Sequence, residues 1–124
     1  MIQRIDIELI KDIKRAAIKE NLVFCDKTEL YGKFVDGKCV AIGGILRYRK
    51  KVILKNFYVI PSYRGNGYFK EMFDFLLDRI REKQIKIIEA NCTAMSLREH
   101  LKRGFIVVKK YKSITKVRYE NIFE

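Results

Sequence analysis

A short polar run, Arg64-Gly65-Asn66-Gly67, separates a β-branched stretch that closes at Pro61 from a stretch of helical periodicity that begins at Phe69. A diphosphate needs several hydrogen-bond donors close together in a positive potential. A glycine turn that opens a helix supplies both, through unpaired backbone amides and the positive end of the helix dipole. Gly65 and Gly67 let the main chain approach a ligand with no side chain between, and Arg64 adds a fixed charge at the rim. Taken alone, such glycines suit a plain strand-to-helix turn equally well. Two further residues can do chemistry. His100, the one histidine, can exchange a proton near neutral pH. Cys92 has a nucleophilic side chain but no base near it in sequence, and reads more simply as a small core residue.

These residues need a sheet and helices to position them. Val52 to Ile60 is β-rich, with apolar positions at Val52, Leu54, Tyr58 and Ile60, and predicts a central strand. After the glycines, Phe69, Met72, Phe73, Leu76 and Ile80 form one helical stripe opposite Lys70, Asp74, Asp78 and Glu82. Ile85 to Ala90 predicts a strand returning parallel to the first, so that strand, turn, helix and strand make one βαβ unit with the phosphate site at its first turn. Ser96 with Glu99 has the spacing of a capping box, opening a short helix that Gly104 ends. Upstream, Ile10, Ile13, Ala16 and Ala17 predict an amphipathic helix over residues 6–20 capped by Asp6. Asp36-Gly37 predicts a hairpin turn between strands Glu29 to Val35 and Lys38 to Arg49. Phe105 to Val108 and Ile114 to Tyr119 predict a closing antiparallel pair.

The length of 124 residues suits a single domain, 1–124, with one core, and 48% hydrophobic residues argue against disorder. The first ten residues alternate charge and apolarity, and the longest nearly apolar stretch, Val40 to Leu46, is too short to span a bilayer; a soluble cytoplasmic protein is expected. Three cysteines without CxxC spacing indicate neither a disulfide framework nor a metal site. The formal charge of +12 is regional. One acid-free block runs from Lys38 to Lys70 and a second from His100 to Tyr119, the latter with Lys102, Arg103, Lys109, Lys110, Lys112, Lys116 and Arg118. Besides a merely solvated surface, such blocks suit an anionic partner, either cofactor phosphates or a nucleic acid.

Val59-Ile60-Pro61-Ser62-Tyr63-Arg64-Gly65-Asn66-Gly67-Tyr68-Phe69 resembles motif A of the GCN5-related N-acetyltransferases (GNAT), which reads V-x-P-x-x-R-G-x-G-x-G/A. Asn91 to Leu97 with Lys102-Arg103-Gly104-Phe105 resembles that family's motif B. Size and composition are similar to small phage-encoded members. The resemblance implies a GNAT-like α/β fold, a mixed central sheet of six to seven strands flanked by helices on both faces. It implies acetyl-CoA as cofactor and transfer of acetyl to an amine. By position it implies that Phe57, Tyr58 and Val59 offer backbone to the acetyl group and pantetheine arm. Arg64, Gly65, Asn66, Gly67, Tyr68 and Phe69 would wrap the pyrophosphate, and Asn91 would touch pantetheine where the parallel strands part.

Three positions depart from the family pattern. Phe69 replaces a small residue, so the helix shifts or the phenyl swings into the core. The strand Val52 to Ile60 holds no Asp or Glu, which leaves the general base unidentified. The family's motif B acid falls on His100 counted from Gly104-Phe105 and on Arg98 counted from Asn91. Two residues turn a helix by about 200°, so one of the pair faces the cofactor, and His100 is favoured as the catalytic acid because guanidinium does not give up a proton. The basic blocks flank the expected cleft, so the acceptor amine is expected to be acidic or linked to nucleic acid. The alternative is a nucleic-acid-modifying or nucleic-acid-binding protein on the same fold, resembling Mom-type DNA modifiers or enzymes that acetylate aminoacyl-tRNA.

Overall fold

The computed structural model describes residues 1–82 and 85–120. Seven strands form one sheet: β1 (Ile2–Ile5), β2 (Glu29–Val35), β3 (Lys38–Arg47), β4 (Lys51–Val59), β5 (Ile87–Cys92), β6 (Ile106–Lys110) and β7 (Thr115–Glu120). Their order in space is β1-β2-β3-β4-β5-β7-β6. Helices are α1 (Lys11–Lys19), α2 (Tyr68–Glu82) and α3 (Ala94–Lys102). β4 and β5 are parallel, and every other neighbouring pair is antiparallel. The expected mixed sheet with helices on both faces is therefore present, with β4 at its centre.

Two apolar layers cover the sheet. Met72, Phe73, Leu76, Leu77 and Ile80 of α2 pack on Val52, Leu54, Ile88 and Ala90. Ile13 and Ala17 of α1 pack on Cys39, Ile42 and Tyr58 on the opposite face. Of the stripes read from the sequence, Ile13 and Ala17 on α1 and Met72, Phe73, Leu76 and Ile80 on α2 are buried, Ala16 and Phe69 are partly buried, and Ile10 falls just before α1. The hairpin turn is also as expected, with φ of 50° at Asp36 and 79° at Gly37.

Several boundaries differ, each for a local reason. Asp6 caps a separate 3-10 turn, Ile7–Leu9, by accepting from the Glu8 amide, and α1 begins only at Lys11. Ile2–Ile5 pairs with β2, so the alternation of its residues is that of an edge strand. β5 runs on to Cys92 because β7 supplies partners as far as Thr115. α3 therefore starts directly after it, with Thr93 at the cap. Ser96 lies inside that helix, donating to the Thr93 carbonyl at 3.4 Å, so the expected capping box does not form. Gly104, at φ 89°, follows the end of α3 as expected.

Candidate active site

The turn before α2 is built to leave main-chain donors unpaired. Gly65 and Gly67 have φ of 85° and 81°, the left-handed region that L side chains avoid. A Cβ at either position would meet nothing within 4 Å, so the conformation demands glycine and the space in front of it is open. Helical bonding begins with the Glu71 amide donating to Gly67 at 3.0 Å. Among the described residues no group accepts from the amides of Gly65, Asn66, Gly67, Tyr68, Phe69 or Lys70. Six successive donors thus stand free at the positive end of a fifteen-residue helix.

Side chains of the turn brace it. Asn66 donates from Nδ2 to the Tyr63 carbonyl at 2.9 Å. Phe69 turns into the core, its ring 5.0 Å from Phe57 and 5.9 Å from Phe73, so the phenyl that replaces the family's small residue leaves the turn clear. Arg64 was expected to charge the rim. Instead its Nε donates to the Val59 carbonyl at 2.9 Å, its Nη2 reaches Glu20 at 3.3 Å, and its guanidinium lies over the Tyr58 ring. Its charge is drawn toward the end of α1, where it clips the turn to β4.

Beside this turn the two parallel strands part. Leu54 with Ala90 is their last pair; beyond it β5 pairs with β7 alone and β4 with β3 alone. A bulge lies in β4 where Asn56 and Phe57 stand opposite Gly43, with Asn56 at φ 60°. The extra residue reverses the alternation. Val52 and Leu54 face α2, whereas Tyr58 is buried against Ile13 and Ala17 of α1. The Ile60 amide donates to Val40 at 2.9 Å, and hydrogen-bonding direction alternates along an antiparallel pair. Val59 accordingly turns its amide away from β3 and into the gap, while Tyr58 spends its main-chain groups on β3. Asn91 is exposed on β5, one residue past the last β4 pair.

α3 settles which of its two candidates points inward. Arg98 is exposed in a shallow groove with Leu97, Leu101 and Lys102. His100 is 2% exposed, its ring centroid 4.4 Å from Phe73, 5.2 Å from Phe105 and 6.2 Å from Phe57. Its Nδ1 lies 2.8 Å from the Ser96 carbonyl, which can only accept, so the proton sits there. Nε2 is buried without a partner among the described residues. Burial pushes this histidine below its ordinary value, against the hydrogen bond to Ser96. The resting ring is therefore neutral, not the imidazolium expected from the sequence. Cys92 is buried with its thiol pushed up to about 11 by burial, as suits a core residue.

One charged residue escaped the sequence reading. Glu89 is 2% exposed, yet Lys51 donates to it at 2.8 Å and Arg118 at 2.7 and 3.0 Å. Burial alone would push its carboxyl up; the hydrogen bonds from Lys51 and Arg118 outweigh that and hold it below the ordinary value. The available signal was a lone acid inside the apolar run Ile87-Ile88-Glu89-Ala90.

A mixed sheet whose parallel pair opens beside an amide-rich helix start defines the acyltransferase class of α/β proteins. The chain belongs to the Acetyltransferase (GNAT) family, whose model matches residues 7–105. No curated protein matches it. Among solved structures it is similar to Escherichia coli ElaA, with 14% identity, a TM-score of 0.80, and coverage of 97% of this chain and 99% of that one. It is also similar to the ribosomal-protein-S18-alanine N-acetyltransferase of Escherichia coli, at 11% identity and a TM-score of 0.77, covering 97% and 92%. A third is a GNAT family acetyltransferase from Elizabethkingia anophelis with acetyl-CoA bound, at 12% identity and a TM-score of 0.72, covering 98% and 97%. Among the described residues no helix is long and apolar enough to cross a membrane, and no cluster of side chains could hold a metal ion.

Proposed function

We propose that this protein transfers an acetyl group from acetyl-CoA to an amine carried on an anionic molecule. The observation that carries the reading is the set of six free amides at the start of α2, next to the gap between β4 and β5. Amides at a helix start suit a pyrophosphate without desolvating any side chain. Acetyl-CoA supplies the acyl group as a thioester. The amides of Gly65 to Lys70 hold its pyrophosphate, the Val59 amide faces the acyl carbonyl, and Asn91 orients the pantetheine arm at the gap. The Val59 amide stabilises the charge that grows on that carbonyl oxygen during attack.

His100 is assigned the proton step. As nitrogen bonds to the acyl carbon and the carbon–sulfur bond breaks, one proton leaves the amine and one must reach sulfur. A neutral imidazole whose Nε2 lone pair is free can take the first and return it as the second. This assignment removes the need for an acidic residue in β4.

Gly67→Glu tests the cofactor site. Positive φ with a side chain costs about 1 kcal/mol, which thermal unfolding reads, while the carboxylate repels the phosphates. Acetyl-CoA binding by calorimetry and turnover should both vanish, and Gly67→Ala, with the same strain and no charge, should retain binding. Unchanged kinetics in Gly67→Glu would refute the phosphate site.

A second reading, nucleic-acid modification or binding on this fold, is favoured by exposed Lys109, Lys110, Tyr111 and Lys112 at the sheet's edge. Titration with a short duplex and with tRNA at low and high salt decides it. Thermal stabilisation that falls steeply with salt supports this reading, and none opposes it.

A further inference from the structure

On β5, Ile88, Ala90 and Cys92 are buried beneath the α2 layer, which sends Glu89 and Asn91 to the other face of the sheet. That face carries a cavity of about 650 Å³ between β4, β5, β7 and the β6–β7 turn, with Lys51, Ile53, Glu89, Asn91, Lys112 and Lys116 in its lining. Its floor is one carboxylate among three cations. Glu89 holds Lys51 and Arg118 at the distances given above, and Lys116 lies 3.8 Å from the same carboxylate. Lys112 adds a fourth cation at the exposed turn. The cavity therefore carries excess positive charge, which favours an anion within it.

The ion pairs also order the donors. Lys51 has ammonium protons beyond the one it donates to Glu89, whose carboxylate fixes where they sit, and Lys116 lies near the same carboxylate without a hydrogen bond to it. An anion entering the cavity meets donors already in place, which lowers the entropy lost on binding. The position is informative as well. One residue, Ala90, separates Glu89 from Asn91, about 7 Å along the strand, and Asn91 lies where β4 and β5 part.

We propose that this cavity seats the carboxylate or phosphate of a small acceptor whose attacking amine reaches the gap between β4 and β5. The proposal rests on the acetyltransferase reading above and gives its acceptor a size and a polarity. An open recess of this volume, bounded by three strands and one turn, suits a small molecule. A nucleic-acid strand would instead need cations spread along an open track.

The test uses matched amines with and without an anion: δ-aminovalerate against n-pentylamine, and aminobutyl phosphate against aminobutanol. The wild type should prefer the anionic member of each pair in kcat/KM by about tenfold or more, as a charge-assisted contact predicts. Whichever pair shows the larger preference tells carboxylate from phosphate. The double variant Lys112→Glu with Lys116→Glu should lose that preference. Glutarate and inorganic phosphate should raise the melting temperature of the wild type, without acetyl-CoA present, and not that of the variant. Equal use of both members of each pair, with no stabilisation by either anion, overturns the proposal. Inhibition by a single-stranded RNA oligomer but by neither small anion also overturns it. Acetyl-CoA binding is measured beside these: its absence defeats the earlier reading, whereas its presence with no anion preference defeats only this one.

Discussion

A histidine enclosed by Phe57, Phe73 and Phe105 keeps its ring neutral, because the cation would have to give up water for hydrocarbon. That changes what His100 can do in a reaction. In the proposed proton step it would enter as an acceptor and become an acid only afterwards. His100→Phe retains an aromatic of similar volume and removes both nitrogens. We expect kcat to fall about a hundredfold with KM for acetyl-CoA little changed; a histidine that only fills the core would leave kcat where it is. Stability should respond with a definite sign. The unfolded chain protonates this imidazole near the ordinary 6.5, while the buried ring resists protonation to lower pH. Stability is then full above that pH and declines as pH falls below it toward the folded-state value. Urea midpoints taken from neutral to about pH 5 should decline less in His100→Phe than in the wild type.

Among the elements, the β4 bulge does most to shape the site. It turns Tyr58 toward α1, aims the Val59 amide at the gap, and coincides with the point where β5 departs. Asn56 holds it, with a left-handed φ that asparagine tolerates and a bond from Nδ2 to the Val23 carbonyl at 3.0 Å. Asn56→Val should destabilise the protein by about 2 kcal/mol, since a β-branched residue at that φ is strained. Asn56→Gly relieves the strain and loses only the hydrogen bond, so its unfolding midpoint should lie between valine's and the wild type's. Equal midpoints for valine and wild type would show that the bulge does not need this backbone. The turn before α2 depends on the bulge through Arg64, whose Nε binds the carbonyl of Val59.

For the whole molecule, the sheet's two faces divide the work. One carries α2, α3 and the glycine turn, and the other carries α1 and the cationic cavity. Glu89 joins three strands across that second face, bonded from β4 by Lys51 and from β7 by Arg118. Both Glu89 and Glu29 are held below the ordinary carboxyl value of 4.5, Glu29 with Arg47 as its partner. Carboxylates of this kind add stability that is present above 4.5 and lost as pH falls through their lower folded values. Glu89→Gln should therefore lower the melting temperature at neutral pH. It should also flatten the acid limb of the pH–stability curve, and an unaltered limb would mean that Glu89 adds nothing to acid sensitivity.

The sequence alone determined what depends on neighbours along the chain. Residue periodicity marked α1, α2 and most strands, the Asp36-Gly37 pair marked its hairpin, and the glycines marked the turn that leaves amides free, because each of these is a local backbone preference. Tertiary structure decided the rest. Asp6, Ser96 and the limits of β5 depended on which partner each backbone group found. His100 and Arg98 could be told apart only once α3 had a face against Phe73. Arg64 found its acceptors on Val59 and Glu20, and Glu89 found cations on β4 and β7, through contacts between residues far apart in the chain. Charge and hydrogen bonding act through space, and a one-dimensional pattern does not contain those distances.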